Sequence, residues 1–231
     1  MEPIIQTVDL KKTYFPGTAQ AVEALRGVSL SFAPGRYYAI IGKSGCGKST
    51  LLHILGALDT PTAGQVLCEG EDVFSRSRRE LAAFRRRKVG FVFQSFNLLQ
   101  EHTVLENILI PLHLDRREPD RAWLDQTVEL LEIGPLLKKY PSQLSGGEQQ
   151  RAAIARALAA RPAIVLADEP TGNLDPNTSQ QTLRLLRQTV AELRQTLILV
   201  THDMDIAAQA EETIRIHQGQ IREILARDRT E

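Results

Sequence analysis

The order of apolar and polar positions along the chain predicts short strands that alternate with helical segments. Turn residues or helix-like stretches bound nine β-like runs, at residues 4–10, 28–32, 37–41, 65–68, 89–93, 163–167, 197–200, 212–217 and 220–224. Two segments, 164–167 and 197–200, are apolar throughout instead of alternating, which is typical of strands covered on both faces. The pattern therefore predicts an α/β core.

The stretch between residues 96 and 161 has a different character. Apolar residues recur there at helical spacing, in the segments 104–114, 123–133 and 147–160. Four prolines punctuate this stretch: Pro111, Pro119, Pro135 and Pro141. We interpret the stretch as a helical lobe inserted between two strands of the core, with Trp123, the only tryptophan, as an anchor in its interior.

The composition is that of an ordinary globular protein. The chain has 231 residues, 42% of them hydrophobic and 24% charged, which suits one domain with an inserted lobe. The formal net charge is zero, so there is no overall basic field to recruit nucleic acid, and we expect no nucleic-acid partner. Two basic clusters, 76–79 and 85–88, favour solvated polar faces, with a docking patch for a partner or acidic lipid as the alternative.

Three further features bear on the compartment. No apolar stretch approaches the ~20 residues that span a bilayer, and the N-terminal residues lack a signal-peptide pattern. The two cysteines, Cys46 and Cys68, do not make a disulfide framework. We therefore expect a reducing cytoplasm.

Nine consecutive residues carry the clearest chemical signal. They fit the phosphate-loop pattern G-x-x-x-x-G-K-[ST] and lie between the run 37–41 and a helix-like run, 49–58, which is the context that the pattern requires. The nine residues are Gly42, Lys43, Ser44, Gly45, Cys46, Gly47, Lys48, Ser49 and Thr50. The alternative is a glycine-rich turn before an ordinary helix, and Lys-Ser-Thr in register after a strand argues against it.

This loop predicts that the chain binds a nucleoside triphosphate. Its glycines let the backbone come close to a bulky anion, and the helix that begins near Lys48 offers unpaired N–H groups and the positive end of its dipole. Lys48 can reach the β- and γ-phosphates, while the Ser49 hydroxyl can ligate Mg²⁺.

A second signal lies at residues 163–169, where an apolar strand ends in Asp168 and Glu169. A parallel sheet delivers the carboxyl ends of its strands to the ligand crevice. We therefore expect Asp168 beside the Mg²⁺ held by Ser49, and Glu169 could take a proton from the attacking water. The alternative is a buried strand followed by a polar turn, which loses weight beside an intact phosphate loop.

Residues 144–151 supply a third signal. Ser145 can cap an amphipathic helix that opens with Gly146, Gly147 and Glu148, which makes a second helix N-terminus able to approach an anion. A monomer needs only one phosphate cradle. The second is explained if it serves a nucleotide held by another copy of the chain.

Together these features resemble the ATP-binding subunit of an ATP-binding cassette (ABC) transporter, over nearly the whole chain. Residues 144–149 resemble the signature motif of that family, residues 44–50 its Walker A, and Asp168 and Glu169 its Walker B. The resemblance implies a phosphate-loop NTPase core, with a mixed, mostly parallel sheet and helices on both faces. It also implies an N-terminal antiparallel β-subdomain and an inserted α-helical subdomain, in one domain with its core at 1–95 and 162–226 and its helical part at 96–161.

Three more segments match features of the family. Gln94, after the run 89–93, matches the glutamine loop, which ligates Mg²⁺ and senses the permease. Residues 173–175, Asn-Leu-Asp, match the D-loop that crosses the dimer interface, and His202 matches the switch histidine that contacts the γ-phosphate. Alone, Gln94 would be read as a surface amide and His202 as a capping or solvated histidine, but their shared order with the other motifs reverses that.

An aromatic residue is expected to stack on adenine. Tyr14 stands where the family has this residue, Phe15 is the second choice, and Tyr37 and Tyr38 are other tyrosines nearby in the sequence. By resemblance, the catalytic residues are Lys48, Gln94, Glu169 and His202. The metal ligands are Ser49, Gln94 and Asp168, and the remaining nucleotide contacts come from the phosphate loop, Tyr14 and Ser145, Gly146, Gly147 and Glu148. The implied cofactors are ATP and Mg²⁺.

The Thr171-Gly172-Asn173 stretch resembles a subgroup of these cassettes that serves macrolide export, lipoprotein release, cell division and antimicrobial-peptide resistance. That resemblance implies a homodimer, peripheral on the cytoplasmic face of the membrane, that drives an FtsX-like or MacB-like integral-membrane permease and moves a lipophilic, peptide or drug-like substrate. Glu148 replaces the glutamine of the commoner motif, as is frequent in the subgroup. Gln100 stands where proline is common, which leaves the identity of the permease open.

Other classes share this head chemistry. A DNA-repair or chromosome-organising ATPase would carry a long coiled coil, whereas about ninety-five residues separate Lys48 from Ser145. A translation factor of the ABC type would carry two cassettes in one chain. A signalling or regulatory cassette without transport, as in cell division, stays open as the alternative.

Overall fold

The computed structural model describes residues 2–227, in which strands and helices alternate. The strands are β1 (Ile5–Tyr14), β2 (Val22–Phe32), β3 (Tyr37–Ile41), β4 (Ala63–Cys68), β5 (Glu71–Asp72), β6 (Val89–Phe93), β7 (Ile164–Asp168), β8 (Thr196–Val200), β9 (Glu212–His217) and β10 (Gln220–Ala226). The helices are α1 (Lys48–Leu55), α2 (Arg78–Lys88), α3 (Val104–Leu114), α4 (Arg121–Leu130), α5 (Gly146–Leu158), α6 (Pro176–Glu192) and α7 (Met204–Ala207). Three 3₁₀ turns lie at Val73–Ser75, Gly134–Leu136 and Pro141–Gln143.

All nine predicted strands are present. The largest difference in their bounds is at β2, which begins at Val22, six residues before the predicted start, and the next is at β1. The alternation of apolar residues stops at Leu10, but the strand continues to Tyr14. Asp9 adopts a left-handed φ of 45°, and the pairing of β1 with β2 shifts register between Thr7 and Leu10. This bulge carries the strand past the polar residues that follow Leu10, so the strand extends beyond the pattern that predicted it.

Pro111 lies inside α3, as it does inside the predicted helical segment 104–114. A proline in a helix interior costs about 3 kcal/mol, but α3 buries Ile108 and Leu112 on either side of it. Burial of this apolar face holds the helix together across the proline. The other three prolines lie outside the α-helices.

The chain forms two compact units, and the first contains the residues up to Arg85 together with those from Thr196 onward. One sheet in it is antiparallel, in the order β2-β1-β4-β5. The other strands of this unit run in the order β10-β9-β3-β8, where β3 is parallel to β8 and β9, and β10 is antiparallel to β9. All five residues of β3 are buried, as expected for a strand covered on both faces.

The second unit contains Arg86–Gln195. Its strands β6 and β7 are parallel, with Phe93 opposite Asp168 at their carboxyl ends. Helix α5 packs on β6, α3, α4 and α6. Trp123 on α4 is 8% exposed, and its Nε1 donates a hydrogen bond of 2.9 Å to the Leu158 carbonyl, which confirms its role as a core anchor.

The observed architecture confirms the predicted fold class, a mixed sheet and an antiparallel sheet combined with helices. The predicted helical subdomain, 96–161, lies within the second unit, and its exact limits stay a prediction. Across residues 2–227, no helix is both long enough and apolar enough to cross a membrane.

Candidate functional site

The loop between β3 and α1 folds in a way that only glycine permits at two positions. Gly42 has a φ of 153°, and a Cβ on it would lie 2.3 Å from the Ile216 carbonyl oxygen. Gly47 has a φ of 107°, and a Cβ on it would lie 2.4 Å from the Ala24 carbonyl oxygen. Both contacts are with backbone, which cannot move aside cheaply. The sequence therefore needs glycine here for the loop to reach α1.

The N-terminus of α1 is suited to an anion. Side chains cap α3 to α7, but Gly47 at the start of α1 supplies no side-chain cap. Lys48 is 7% exposed, and its Nζ donates hydrogen bonds to the Gly42 carbonyl (2.9 Å) and the Lys43 carbonyl (3.1 Å). An ammonium group thus lies across a glycine loop that ends at a helix N-terminus. This combination fits a phosphate group.

His202 lies close to this loop, in the same unit. It lies two residues after the end of β8 and lines one open pocket of about 800 Å³ together with Gly42 and Lys43. Further basic side chains of that pocket come from β9 and β10: Arg215, His217 and Arg222. No acidic side chain is among the described residues that line it. The pocket therefore suits an anionic ligand.

Tyr14 has its hydroxyl fixed and its ring half-buried. The hydroxyl donates to Asp59 Oδ2 at 2.9 Å and lies 3.4 Å from the Thr50 hydroxyl of the phosphate loop. The Lys12 ammonium lies 4.8 Å from the ring centroid. Burial, followed by Asp59, raises the pKa of the Tyr14 phenol.

The other aromatic candidates for adenine stacking differ from Tyr14. Tyr37 and Tyr38 are 9% and 1% exposed on β3, so their rings are not accessible. Phe15 is 65% exposed, with a left-handed φ of 50°. Of the four, Tyr14 alone has its side chain bonded to the phosphate loop, among the contacts described for this unit.

The second unit brings three predicted site residues together. Because β6 and β7 are parallel and Phe93 pairs with Asp168, Gln94 and Glu169 emerge at the same edge. Glu169 adopts a left-handed φ of 43°. Residues other than glycine are strained there and cluster at functional sites. Gln94, Asp168 and Glu169 thus lie at neighbouring strand ends.

Helix α5 begins as expected, with Ser145 at its N-cap. Ser145 Oγ donates to Glu148 Oε2 (2.8 Å) and accepts from the Glu148 amide, and the Ser145 amide donates to the same carboxylate (2.8 Å). This capping box lowers the pKa of Glu148, mainly through the bond from the Ser145 amide. A Cβ on Gly147 would lie 2.4 Å from Thr178 Cγ2, so α6 leaves no room for a side chain there.

The donor set fits Mg²⁺ better than a transition metal. The proposed ligands, Ser49, Gln94 and Asp168, offer only oxygen atoms, which Mg²⁺ prefers, with phosphates and water completing its shell. Residues 2–227 contain no group of three or more His, Cys, Asp or Glu side chains that could hold a metal by themselves. Ser49 belongs to the first unit, and Gln94 and Asp168 to the second.

Three contacts around the candidate site were missed from the sequence. They are the ion pair of Lys12 with Asp59 (2.6 Å), the amide pair of Gln94 with Asn173, and the bonds from Arg156 to carbonyls of the segment after Gln94. Each joins residues more than forty positions apart. Asn173 had a signal, since it falls in the stretch that resembles a D-loop, but nothing in the pattern indicates its partner.

The family comparison identifies a model described as "ABC transporter", which matches residues 25–172. An uncharacterized ABC transporter ATP-binding protein of Thermotoga maritima is 49% identical over 224 residues, covering 96% of this chain and 94% of that protein. The lipoprotein-releasing system ATP-binding protein LolD of Bordetella pertussis is 44% identical, covering 95% of each. The macrolide export ATP-binding/permease protein MacB of Syntrophobacter fumaroxidans is 45% identical over 94% of this chain, which spans only 31% of that protein.

A solved structure has a similar fold. It is a dimeric ATP-binding cassette in a post-hydrolysis state bound to ADP and Pi, with a TM-score of 0.84 and 38% sequence identity. The match covers 96% of this chain and 98% of the other.

Proposed function

This chain belongs to the ABC transporter family and is an ATPase of that family, and from that premise we propose that two copies bind two ATP molecules head to tail and drive a membrane permease. One observation carries the proposal: the chain has two helix N-termini suited to phosphate. Helix α1 starts without a side-chain cap beside Lys48, and α5 starts at Ser145 with two glycines. An ATP gripped by α1 of one copy and covered by α5 of the other uses both. The similar cassette that was solved as a dimer with ADP and Pi supports this arrangement.

Each side chain has a distinct role in the proposed reaction. Lys48 binds the β- and γ-phosphates, and His202 stabilises the γ-phosphate. Glu169 orients the attacking water and accepts its proton, which as general-base catalysis contributes about 10²–10⁴ in rate. Tyr14 stacks on adenine.

Metal binding falls to the Ser49 hydroxyl, the Gln94 amide oxygen and the Asp168 carboxylate. When bound, Mg²⁺ neutralises part of the charge on the β- and γ-phosphates. Main-chain and side-chain groups of the phosphate loop hold the rest of the triphosphate.

To bind the nucleotide of the other copy, the Ser145 hydroxyl has to give up its hydrogen bond to Glu148. Its hydroxyl has one proton, which it donates to Glu148. To donate to the γ-phosphate of the other copy's nucleotide, the hydroxyl turns away from Glu148. Dimer closure therefore replaces the hydroxyl bond to Glu148, while the two bonds that define the capping box of α5 can persist.

The proposed partner is an FtsX-like integral-membrane permease. Support comes from the names of the similar proteins, since LolD is the ATP-binding protein of a lipoprotein-releasing system and MacB is an ATP-binding/permease protein. Dimer closure would move the permease and export or extract a lipophilic, peptide or drug-like substrate, with this chain peripheral on the cytoplasmic face of the membrane. Purification together with a candidate FtsX-like permease, followed by a screen for compounds that raise ATP hydrolysis by the complex, tests this assignment. An ATPase rate that no permease changes would count against it.

The substitution Glu169→Gln tests the reaction itself. It keeps the shape of the side chain but removes the base, so we expect ATP binding to persist, hydrolysis to fall by about 10²-fold or more, and a closed dimer to accumulate with ATP. Light scattering after size exclusion measures the dimer, and phosphate release measures the rate. A variant that stays monomeric in saturating ATP, or that hydrolyses at the parent rate, contradicts the proposal.

A further inference from the structure

Gln94 is held by a pair of amide hydrogen bonds to Asn173. Gln94 Nε2 donates to Asn173 Oδ1 at 3.1 Å, and Asn173 Nδ2 donates to the Gln94 main-chain carbonyl at 3.1 Å. The two residues are 79 positions apart, and both lie in the second unit. A closed ring of two bonds fixes the position and the rotation of the Gln94 amide.

The chemistry of the ring determines which atom of Gln94 points outward. A main-chain carbonyl can only accept, so Asn173 must present its NH₂ group to it and its Oδ1 to Gln94. Gln94 must then present its own NH₂ group to Asn173. The Oε1 atom, which accepts no hydrogen bond from residues 2–227, remains for another ligand. The amide oxygen is the only atom of a glutamine side chain that ligates Mg²⁺.

Gly172 leaves the space that the Gln94 amide occupies. A Cβ on Gly172 would lie 2.6 Å from Gln94 Nε2 and 2.9 Å from Gln94 Cδ, so any side chain there displaces the amide. Gly172 and Asn173 therefore act on the same group, one by leaving space and one by bonding.

Helix α5 holds the segment that contains Gln94. Gln150 Nε2 donates to the Phe93 carbonyl at 3.3 Å, and Arg156 donates to the carbonyls of Phe96 (2.8 Å) and Asn97. Phe96 and Asn97 both adopt left-handed φ angles, 55° and 53°. Because the main chain is anchored before and after Gln94, its side chain is the part that can still change conformation, and Asn173 holds that side chain.

We infer that Asn173 is a positioning residue that presents the Gln94 Oε1 atom to the Mg²⁺ of bound ATP. The inference rests on the proposed function, because it takes Gln94 as a metal ligand. Asn173 contacts neither metal nor nucleotide in this role and acts through Gln94 alone. Residues 173–175 resemble the segment that crosses between subunits. Contact between subunits at this segment would therefore affect the position of Gln94 through the Asn173 side chain.

The test measures metal binding as well as hydrolysis. The full-length chain is prepared with Asn173→Ala, and separately with Gly172→Ala, which displaces the Gln94 amide but keeps Asn173. Asn177→Ala is the matched control, since Asn177 is an exposed asparagine four positions further on that makes no described side-chain bond. Mn²⁺ affinity with the non-hydrolysable analogue AMP-PNP is measured by electron paramagnetic resonance, and nucleotide affinity in EDTA by fluorescence titration.

We expect Asn173→Ala and Gly172→Ala to weaken Mn²⁺ binding by about three- to ten-fold, the range for loss of one hydrogen bond. Nucleotide affinity in EDTA should stay within about two-fold, since neither change touches the phosphate loop. The control should match the parent chain. Combining Asn173→Ala with Gln94→Ala should weaken Mn²⁺ binding no more than Gln94→Ala alone, because Asn173 then has nothing to position.

Two failures are distinguishable. If Gln94→Ala leaves Mn²⁺ affinity unchanged, the proposed metal ligand is wrong and the inference falls with it. If Gln94→Ala weakens Mn²⁺ binding while Asn173→Ala and Gly172→Ala do not, or if the double substitution is additive, the role of Asn173 is overturned and the proposed function stands. Thermal melting of each variant shows whether a loss comes from unfolding.

Discussion

Tyr14 shows how the surroundings of one side chain prepare it for binding. Asp59 accepts hydrogen bonds from Lys12 Nζ (2.6 Å) and the Tyr14 hydroxyl (2.9 Å). Burial would raise the pKa of Asp59, but the bonds from Lys12 and Tyr14 outweigh it, so its pKa lies below the ordinary value. The carboxylate is therefore ionised at neutral pH and holds the phenol in place, while Lys12 covers one face of the ring. The opposite face is the one proposed for adenine.

Replacing Asp59 with alanine should weaken nucleotide binding, although Asp59 is not itself a proposed nucleotide contact. We expect Asp59→Ala to raise the Kd for ATP by about three- to ten-fold, the range for one or two lost hydrogen bonds. The change should appear mainly in KM and little in kcat, since the groups that act on phosphate are unaltered. Fluorescence titration and steady-state hydrolysis measure the two quantities.

Tyr14→Phe supplies the internal check for this prediction. It removes the hydroxyl that Asp59 holds, so adding Asp59→Ala to it should cause little further loss. Asp125→Ala, at an exposed aspartate of α4 that makes no described ion pair or side-chain hydrogen bond, should leave the Kd unchanged. Full additivity of the two changes would mean that Asp59 acts by another route.

Helix α2 shows how ion pairs can stabilise a helix that the hydrophobic pattern does not predict. The helix buries only Phe84, and the sequence showed it as two basic clusters. Two of its arginines are not simply solvated: Arg86 Nη2 and Arg87 Nε lie 3.3 and 2.6 Å from the Asp115 carboxylate at the end of α3, whose side chain is 4% exposed. The hydrogen bond from Arg87, with a second from Arg86, holds the pKa of Asp115 below its ordinary value.

Asp115→Asn should therefore destabilise the fold in a pH-dependent way. The folded pKa of Asp115 lies below the unfolded value of about 3.9, so its stabilisation is complete above about pH 4 and is lost as pH falls through the folded pKa. We expect the variant to be less stable by about 1–3 kcal/mol at pH 7. That difference should shrink below about pH 4.

Urea unfolding of both proteins between pH 7 and pH 3 measures this difference. Glu118→Gln is the matched control, because Glu118 is an exposed acid three residues away that makes no described ion pair. A difference between Asp115→Asn and the parent that stays constant over the whole range would show that charge at Asp115 is not the cause.

At the scale of the whole molecule, the phosphate loop and the N-terminus of α5 at Ser145, here called the helix tip, belong to different compact units. In the proposed dimer a complete site takes the loop from one copy and the helix tip from the other. A defect in the loop and a defect in the helix tip should then complement each other when they lie on different chains. Two defects in the loop should not.

Mixing variants in a Glu169→Gln background tests this arrangement. We expect Lys48→Ala and Ser145→Arg to be monomeric separately in ATP, and to form a mixed dimer with one intact site when combined. Because neither variant pairs with itself, all chains stay available for mixed pairing, so a dimer should appear in the mixture and in neither variant alone. Lys48→Ala mixed with Ser49→Ala is the control and should stay monomeric. Light scattering measures the dimer, and its absence from the first mixture would contradict the head-to-tail arrangement.

Elements with a clear apolar pattern were predicted from the sequence, and elements without one were not. Strands β3, β6 and β9 match their predicted bounds, because each is bounded by clear turn or helix signals. Helix α6 was not predicted, although it buries Leu183, Leu186 and Val190. Its inward threonines, Thr182 and Thr189, break the apolar pattern. Helix α2 is too polar to show any pattern at all.

The local geometry of the candidate site was predictable from the sequence alone, because the residues that form it are neighbours in the chain. The glycines and Lys48 of the phosphate loop, the Ser145 capping box and the acids that end β7 each depend on spacing within a few residues. Long-range partners were not readable. Asp59 beneath Tyr14, Asn173 beside Gln94 and Asp115 between two arginines are chosen by how strands and helices pack, and packing places together residues that no local pattern connects.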